Sequence, residues 1–141
     1  MAVCLNVNKH NIPGVELVIF DKDGTLIDVH HYWASMIKLR SEIISSKLDI
    51  DENMLVGLMD SMGVKAGTMR IKPEGPVGLK KREVVLNAGV SYLRTFGYEG
   101  LTAIFLESFS RADELSLSRF DEMIRPITGL NKCMDALRTA E

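Results

Sequence analysis

Four consecutive apolar residues, Leu17-Val18-Ile19-Phe20, end abruptly at Asp21-Lys22-Asp23-Gly24-Thr25. A run this short, rich in β-branched and aromatic side chains and bounded by turn residues, predicts a strand buried on both faces. Such a strand constrains the rest of the chain. Its backbone groups must be paired, and a parallel sheet needs neighbours reached through crossover helices. One local partner is legible: Val3, Leu5 and Val7 alternate with polar residues, and Asn11 to Gly14 would turn that first strand back antiparallel onto Leu17 to Phe20. Without cover of this kind, an apolar strand edge would be closed by a second copy, giving a homodimer.

The rest of the chain to Ile124 reads as helix and loop. From Tyr32 to Leu48 the positions Trp33, Met36, Ile37, Ile43, Ile44 and Leu48 recur at helical spacing. Asp49 and Glu52 are spaced as a capping box for a second helix, whose stripe is Met54, Leu55, Leu58, Met59 and Met62 and whose stop is Gly63. Val64 to Leu79, with Gly67, Pro73, Gly75, Pro76 and Gly78, predicts a long loop. Lys80 to Phe96 predicts a third helix ended by Gly97, and Thr102 to Ala112 a fourth. Arg125-Pro126-Ile127-Thr128-Gly129 breaks the pattern before a last amphipathic helix carrying Leu130, Cys133, Met134 and Leu137. That helix resembles a crossover, but no second core strand follows it, so the pattern reads as cut short.

Composition narrows the function classes. Seventeen Lys and Arg against nineteen Asp and Glu leave a net charge of −2, which provides no electrostatic footprint for nucleic acid or an anionic membrane surface. There is no apolar run of membrane-spanning length, and the first residues lack the basic start and apolar stretch of a signal peptide. Cys4 and Cys133 lie far apart and outside metal-ligand spacing, as expected of reduced thiols in a cytoplasmic protein.

The turn after the apolar run carries the chemistry. Open α/β sheets bind ligands at the carboxyl ends of their strands. Two carboxylates on alternate residues of an extended turn can face one small site together. Asp21 is then placed to attack phosphorus and form an acyl-phosphate, dividing one slow displacement into two easier steps. Asp23 can protonate the leaving oxygen and later accept a proton from the attacking water. Gly24 lets the backbone approach a phosphate, and the amides around Gly24 and Thr25 can donate to its oxygens. Because nucleophile and substrate are both anions, the chemistry calls for a hard divalent cation with oxygen ligands, for which Mg²⁺ is suited.

Glu16 to Asp28, ELVIFDKDGTLID, resembles the first motif of the haloacid dehalogenase (HAD) superfamily, and the layout is similar to its phosphoglycolate phosphatase-like branch. The resemblance implies an α/β fold with a HAD-like, Rossmannoid core, of which this mostly α chain holds only the first strand and flanking helices. It implies three parts: residues 1–29 opening the core, an inserted α-helical cap over 30–120, and a return to the core over 121–141, where RPITGLNKCMDAL (Arg125 to Leu137) is similar to the segment leading to the second motif. Asp21 would be the phosphorylated nucleophile and a Mg²⁺ ligand. Asp23 would be the acid/base and would bind the metal through its backbone carbonyl, with Gly24 and Thr25 holding phosphate. The substrate would be a small phosphorylated metabolite. A carboxylate at position 23 favours rapid hydrolysis or phosphomutase chemistry over the long-lived phosphoenzyme of cation pumps, which carry Thr there. The family's later motifs would lie beyond Glu141, so residues 1–141 alone are expected to lack activity, with a cap better ordered than the core. The alternatives are a phosphomutase on the same scaffold, or an inactive fragment serving as an interaction or structural module.

Other residues carry less. His30 and His31 at the cap entrance read as solvated, Trp33 and Met36, Met54, Met59 and Met62 as cap core, and His10 as surface. Lys80, Lys81 and Arg82 read as a solvated helix start, and Arg70 and Lys72 as loop residues with a minor claim to substrate contact.

Overall fold

The computed structural model describes residues 2–139. The chain is mixed α/β and mostly helical, and it divides into two compact units: Met1–Asp28 with Pro126–Glu141, and Val29–Arg125.

In the first unit, strand β1 (Val3–Val7) pairs antiparallel with β2 (His10–Val15). The two-residue loop between them, Asn8-Lys9, has both residues at positive φ, as a type I′ hairpin loop requires. The first strand therefore forms where its alternation predicts, but its partner is His10–Val15 and not the apolar run. The tight loop closes before Asn11 is reached, so Asn11 to Gly14 lie within β2 and do not form the turn. Pro13, which has no N–H to give to a ladder, and Gly14 at φ +74 fall where the register slips between Val3 and Leu5.

Leu17 to Phe20 form no strand, contrary to the buried strand their composition predicts. Leu17 and Ile19 are 75% and 84% exposed, while Val18 and Phe20 are half-buried. The physical reason is pairing. An apolar run becomes a strand only when neighbours take its N–H and C=O groups, and the local candidate is already paired elsewhere. The last helix of this unit, α6 (Leu130–Arg138), begins after Gly129 as predicted; Leu130, Met134 and Leu137 are half-buried on its apolar side.

The second unit is a helical bundle. Helix α1 (Val29–Leu48) starts three residues earlier than its stripe predicts. Helix α2 (Glu52–Ser61) is capped by Asp51, whose carboxylate accepts from the Met54 amide at 2.8 Å. The cap is thus Asp51 and not the Asp49 of a capping box, since Asp49 is used by the connecting turn at φ +52. The long loop predicted over Val64 to Leu79 contains a short antiparallel hairpin, β3 (Val64–Lys65) with β4 (Arg70–Ile71). Val64 is fully buried there and anchors the hairpin to the core. Helix α3 (Arg82–Arg94) is followed by Gly97 at φ +87, helix α4 (Leu101–Ser118) runs six residues past its predicted end, and a single turn, α5 (Phe120–Met123), follows.

Phe105 and Phe109 of α4 lie at the centre of this unit with Ile37, Ile44, Leu58, Met62, Leu93 and Leu101, all effectively without solvent exposure. Met36 and Met123 join Leu39 and Ala112 in a smaller cluster. Buried methionines bear out the core reading of Met36, Met59 and Met62, with Met54 packed at its margin.

Gly89 is where α3 meets this core. A Cβ at that position would stand 2.5 Å from Phe105 Cε1 and 3.2 Å from Leu58 Cδ1. Both neighbours are fully buried and have little room to yield. Gly89→Ala gains about 1 kcal/mol of helix propensity but meets an overpacking cost of about 1–3 kcal/mol. The expected outcome is a lower unfolding midpoint in urea and a Tm reduced by a few degrees. An unchanged or raised Tm would show that α3 can move away from Phe105 at little cost.

Candidate active site

The turn Asp21 to Thr25 belongs to the first unit. Its shape comes from Lys22, whose carbonyl accepts from the amides of Leu26 at 2.9 Å and Ile27 at 3.2 Å. The Gly24 amide donates to the Ile27 carbonyl at 3.0 Å, and Gly24 takes φ +79, a conformation that side-chain-bearing residues seldom adopt. The loop is held from a distance in sequence as well: Ile27, buried, forms an antiparallel bridge with Pro126, and the Ile127 amide donates to the Leu26 carbonyl at 2.9 Å. The break at Arg125 to Gly129 therefore brings the chain back against the segment it left at Asp28.

The predicted site residues fall together on this turn. Asp21, Asp23, Gly24 and Thr25 are all exposed. Thr25 Oγ1 faces Asp21 Oδ2 at 3.4 Å, longer than a usual O–H···O hydrogen bond. Asp23 Oδ1 pairs with Lys22 Nζ at 3.1 Å, both side chains being well exposed. An ion pair of that kind stabilises by about 0–1 kcal/mol, so it yields readily to a substrate. Two exposed carboxylates two residues apart, beside a glycine that leaves the backbone open, can receive a small electrophile from solvent.

The fit to a metal is partial. Among the described residues no group of three His, Cys, Asp or Glu side chains is arranged to hold a cation. Asp21 and Asp23 supply carboxylate and carbonyl oxygens, the donor type Mg²⁺ prefers, and Mg²⁺ commonly keeps several waters on one or two carboxylates. Such a set binds weakly by itself. Calorimetry of the 141-residue chain with Mg²⁺ is expected to show no tight stoichiometric binding; a saturating one-to-one isotherm of micromolar affinity would contradict this.

Of the other residues singled out in the sequence, His10 (exposed on β2) and the exposed Cys4 and Cys133 lie in the first unit, and the remaining histidines, the core methionines and the basic residues in the second. His31 and His30 are half-buried rather than fully solvated: His31 Nε2 donates to the Glu122 carbonyl at 2.7 Å, tying α1 to α5, and His30 Nδ1 is shielded from solvent. The reason is the earlier start of α1, which carries both histidines onto the helix. Trp33 packs at the core margin with Tyr32 in edge-to-face contact at 5.0 Å. Lys72 pairs with Asp60 at 2.9 Å, while Arg70 is exposed on β4.

Arg82 is not simply solvated. It pairs with Asp113, and its guanidinium carbon stands 5.3 Å from the Phe109 ring centroid. The same carboxylate accepts from Arg40 Nη2 at 3.1 Å, and Arg40 lies closer still over Phe109, at 4.3 Å. The stripe reading passed over Arg40. Its signal was present: Trp33, Ile37, Arg40 and Ile44 fall on one face of α1 at helical spacing, so a cation there is carried into the interior.

No protein-family model matches the chain, and no curated protein or solved structure matches it. No helix among the described residues is long and apolar enough to cross a membrane.

Proposed function

We propose that Asp21-Lys22-Asp23-Gly24-Thr25 is the reacting turn of a Mg²⁺-dependent phosphomonoester hydrolase of HAD type, with a HAD-like core and the helical unit as its inserted cap. The observation that carries the reading is the pair of exposed carboxylates, Asp21 and Asp23, on one turn opened by Gly24 at φ +79. The likeness of residues 16–28 to the first HAD motif adds the assignment of roles.

In this mechanism an Asp21 carboxylate oxygen attacks phosphorus as the bond to the leaving oxygen breaks, leaving an acyl-phosphate on Asp21. Asp23 gives its proton to the leaving oxygen. The resulting Asp23 carboxylate then takes a proton from water, whose oxygen attacks phosphorus, releasing inorganic phosphate and restoring Asp21. Thr25, through its contact with Asp21, orients the nucleophile, and the open backbone at Gly24 admits the phosphate oxygens. Mg²⁺, bound by Asp21 and the Asp23 carbonyl, would reduce the repulsion between the two anions.

The substrate of this reading is a small phosphorylated metabolite, and the compartment the cytoplasm. Activity is expected of a protein form in which further groups complete the metal set. Residues 1–141 by themselves are expected to turn over negligibly.

In a form that hydrolyses a generic aryl phosphate, Asp21→Asn is expected to reduce turnover to background, because an amide is a poor nucleophile. Asp23→Asn is expected to lower it by about two to four orders of magnitude, the usual range for losing an acid/base group. Acid-quenched enzyme should carry phosphate on Asp21 during turnover. Near-normal hydrolysis in Asp21→Asn would defeat the aspartyl-phosphate mechanism. Isomerisation of a sugar phosphate without phosphate release would favour a phosphomutase.

A further inference from the structure

The helical unit holds a cavity of about 240 Å³ between α1 and the start of α3. That is space for several waters, or for a compact organic molecule. Its apolar walls are Trp33, Val77 and Val85, and its cations are Arg40, Lys80 and Arg82.

The charge balance is uneven. Arg40 and Arg82 share the single carboxylate of Asp113, and Lys80 adds a third positive charge at the exposed margin. Arg40 is 5% exposed, and its Nε–H finds no acceptor among the described residues. Burial pulls its pKa below the usual arginine value; the Asp113 hydrogen bond and charge oppose that, and the neighbouring Arg82 charge reinforces it. An arginine nonetheless stays protonated near neutral pH. Taking a guanidinium out of water is costly. The contact with the Phe109 ring returns only part of that. A buried cation with a free donor, a second arginine and a lysine around one small apolar cavity leave positive charge that an anionic ligand would balance.

We propose that this cavity is a binding site for a small organic carboxylate, its charge held by Arg40, Arg82 and Lys80 and its apolar body against Trp33. The planar guanidinium fork suits a carboxylate, and the walls of Trp33, Val77 and Val85 suit a carbon skeleton better than a hydrated inorganic ion. The site is made wholly of residues in the helical unit and does not depend on phosphoryl transfer at Asp21.

Trp33 is the one tryptophan of the sequence, so its fluorescence reports on the cavity directly. Titrating the 141-residue chain with phenylacetate is expected to give a saturable change in emission. Neutral phenylacetamide should bind about tenfold or more weakly, the usual consequence of losing a charge-assisted hydrogen bond. Arg82→Gln should weaken phenylacetate by a similar factor. Lys80→Gln, a change at an exposed residue, should weaken it too, and decides the matter if Arg82→Gln does not fold by circular dichroism. Inorganic phosphate should displace phenylacetate only at much higher concentration, and Asp21→Asn should bind phenylacetate as the unaltered chain does. The proposal is overturned by the lack of a saturable change, by equal binding of the amide, or by unaltered binding in folded Arg82→Gln and Lys80→Gln. Displacement by phosphate at equal concentration would overturn the organic carboxylate, and loss of binding in Asp21→Asn would overturn the location.

Discussion

The packing of Phe105 and Phe109 is the contact around which the helical unit is organised. Both rings are fully buried on one face of α4, with centroids 6.2 Å apart, and three neighbouring helices take their positions from them. Helix α3 approaches Phe105 through Gly89, α1 lies along α4, and α2 reaches the same core through Leu58 and Met59. Each fully buried phenylalanine contributes about 1.5–3 kcal/mol, several times the worth of the exposed ion pairs such as Lys38 with Glu42. The charged groups of this unit therefore follow its packing.

Arg40 illustrates that ordering. Its place on the inward stripe of α1 is dictated by helical periodicity, and once there it must be accommodated. Phe109 supplies a ring face, Asp113 supplies a carboxylate from one turn further along α4, and Arg82 competes for both. A polar cluster with unequal charge is the consequence of folding an amphipathic helix whose apolar face is interrupted by one cation.

The first unit works by a different principle. It has little buried apolar surface of its own, and its hairpin β1–β2 is exposed along most of both strands. Two-stranded hairpins are marginally stable without a packed face. Its definition comes from backbone hydrogen bonding: the type I′ loop at Asn8-Lys9, the amides that converge on the Lys22 carbonyl, and the bridge from Ile27 to Pro126. A turn held by main-chain bonds does not need its side chains for its shape, so Asp21 and Asp23 face solvent with only the weak contacts to Thr25 and Lys22.

Local chemistry was legible in the sequence. Apolar spacing placed all four long helices of the bundle, Gly63 and Gly97 marked two of their ends, and Pro126 to Gly129 marked the break before α6, because periodicity and backbone preference act within a few residues. The candidate turn was legible for the same reason: Asp21, Asp23, Gly24 and Thr25 are neighbours in the chain and need no fold to bring them together. Pairing and burial were decided only by tertiary structure. Leu17 to Phe20 has the composition of a core strand but no strand beside it, since a strand exists only with a partner and β1 took His10–Val15. The β3–β4 hairpin formed inside a glycine- and proline-rich stretch because Val64 found the core. Arg40, Arg82 and Asp113 come from three helices, and no local pattern relates them; only the packing of α1, α3 and α4 around Phe109 places two cations on one carboxylate.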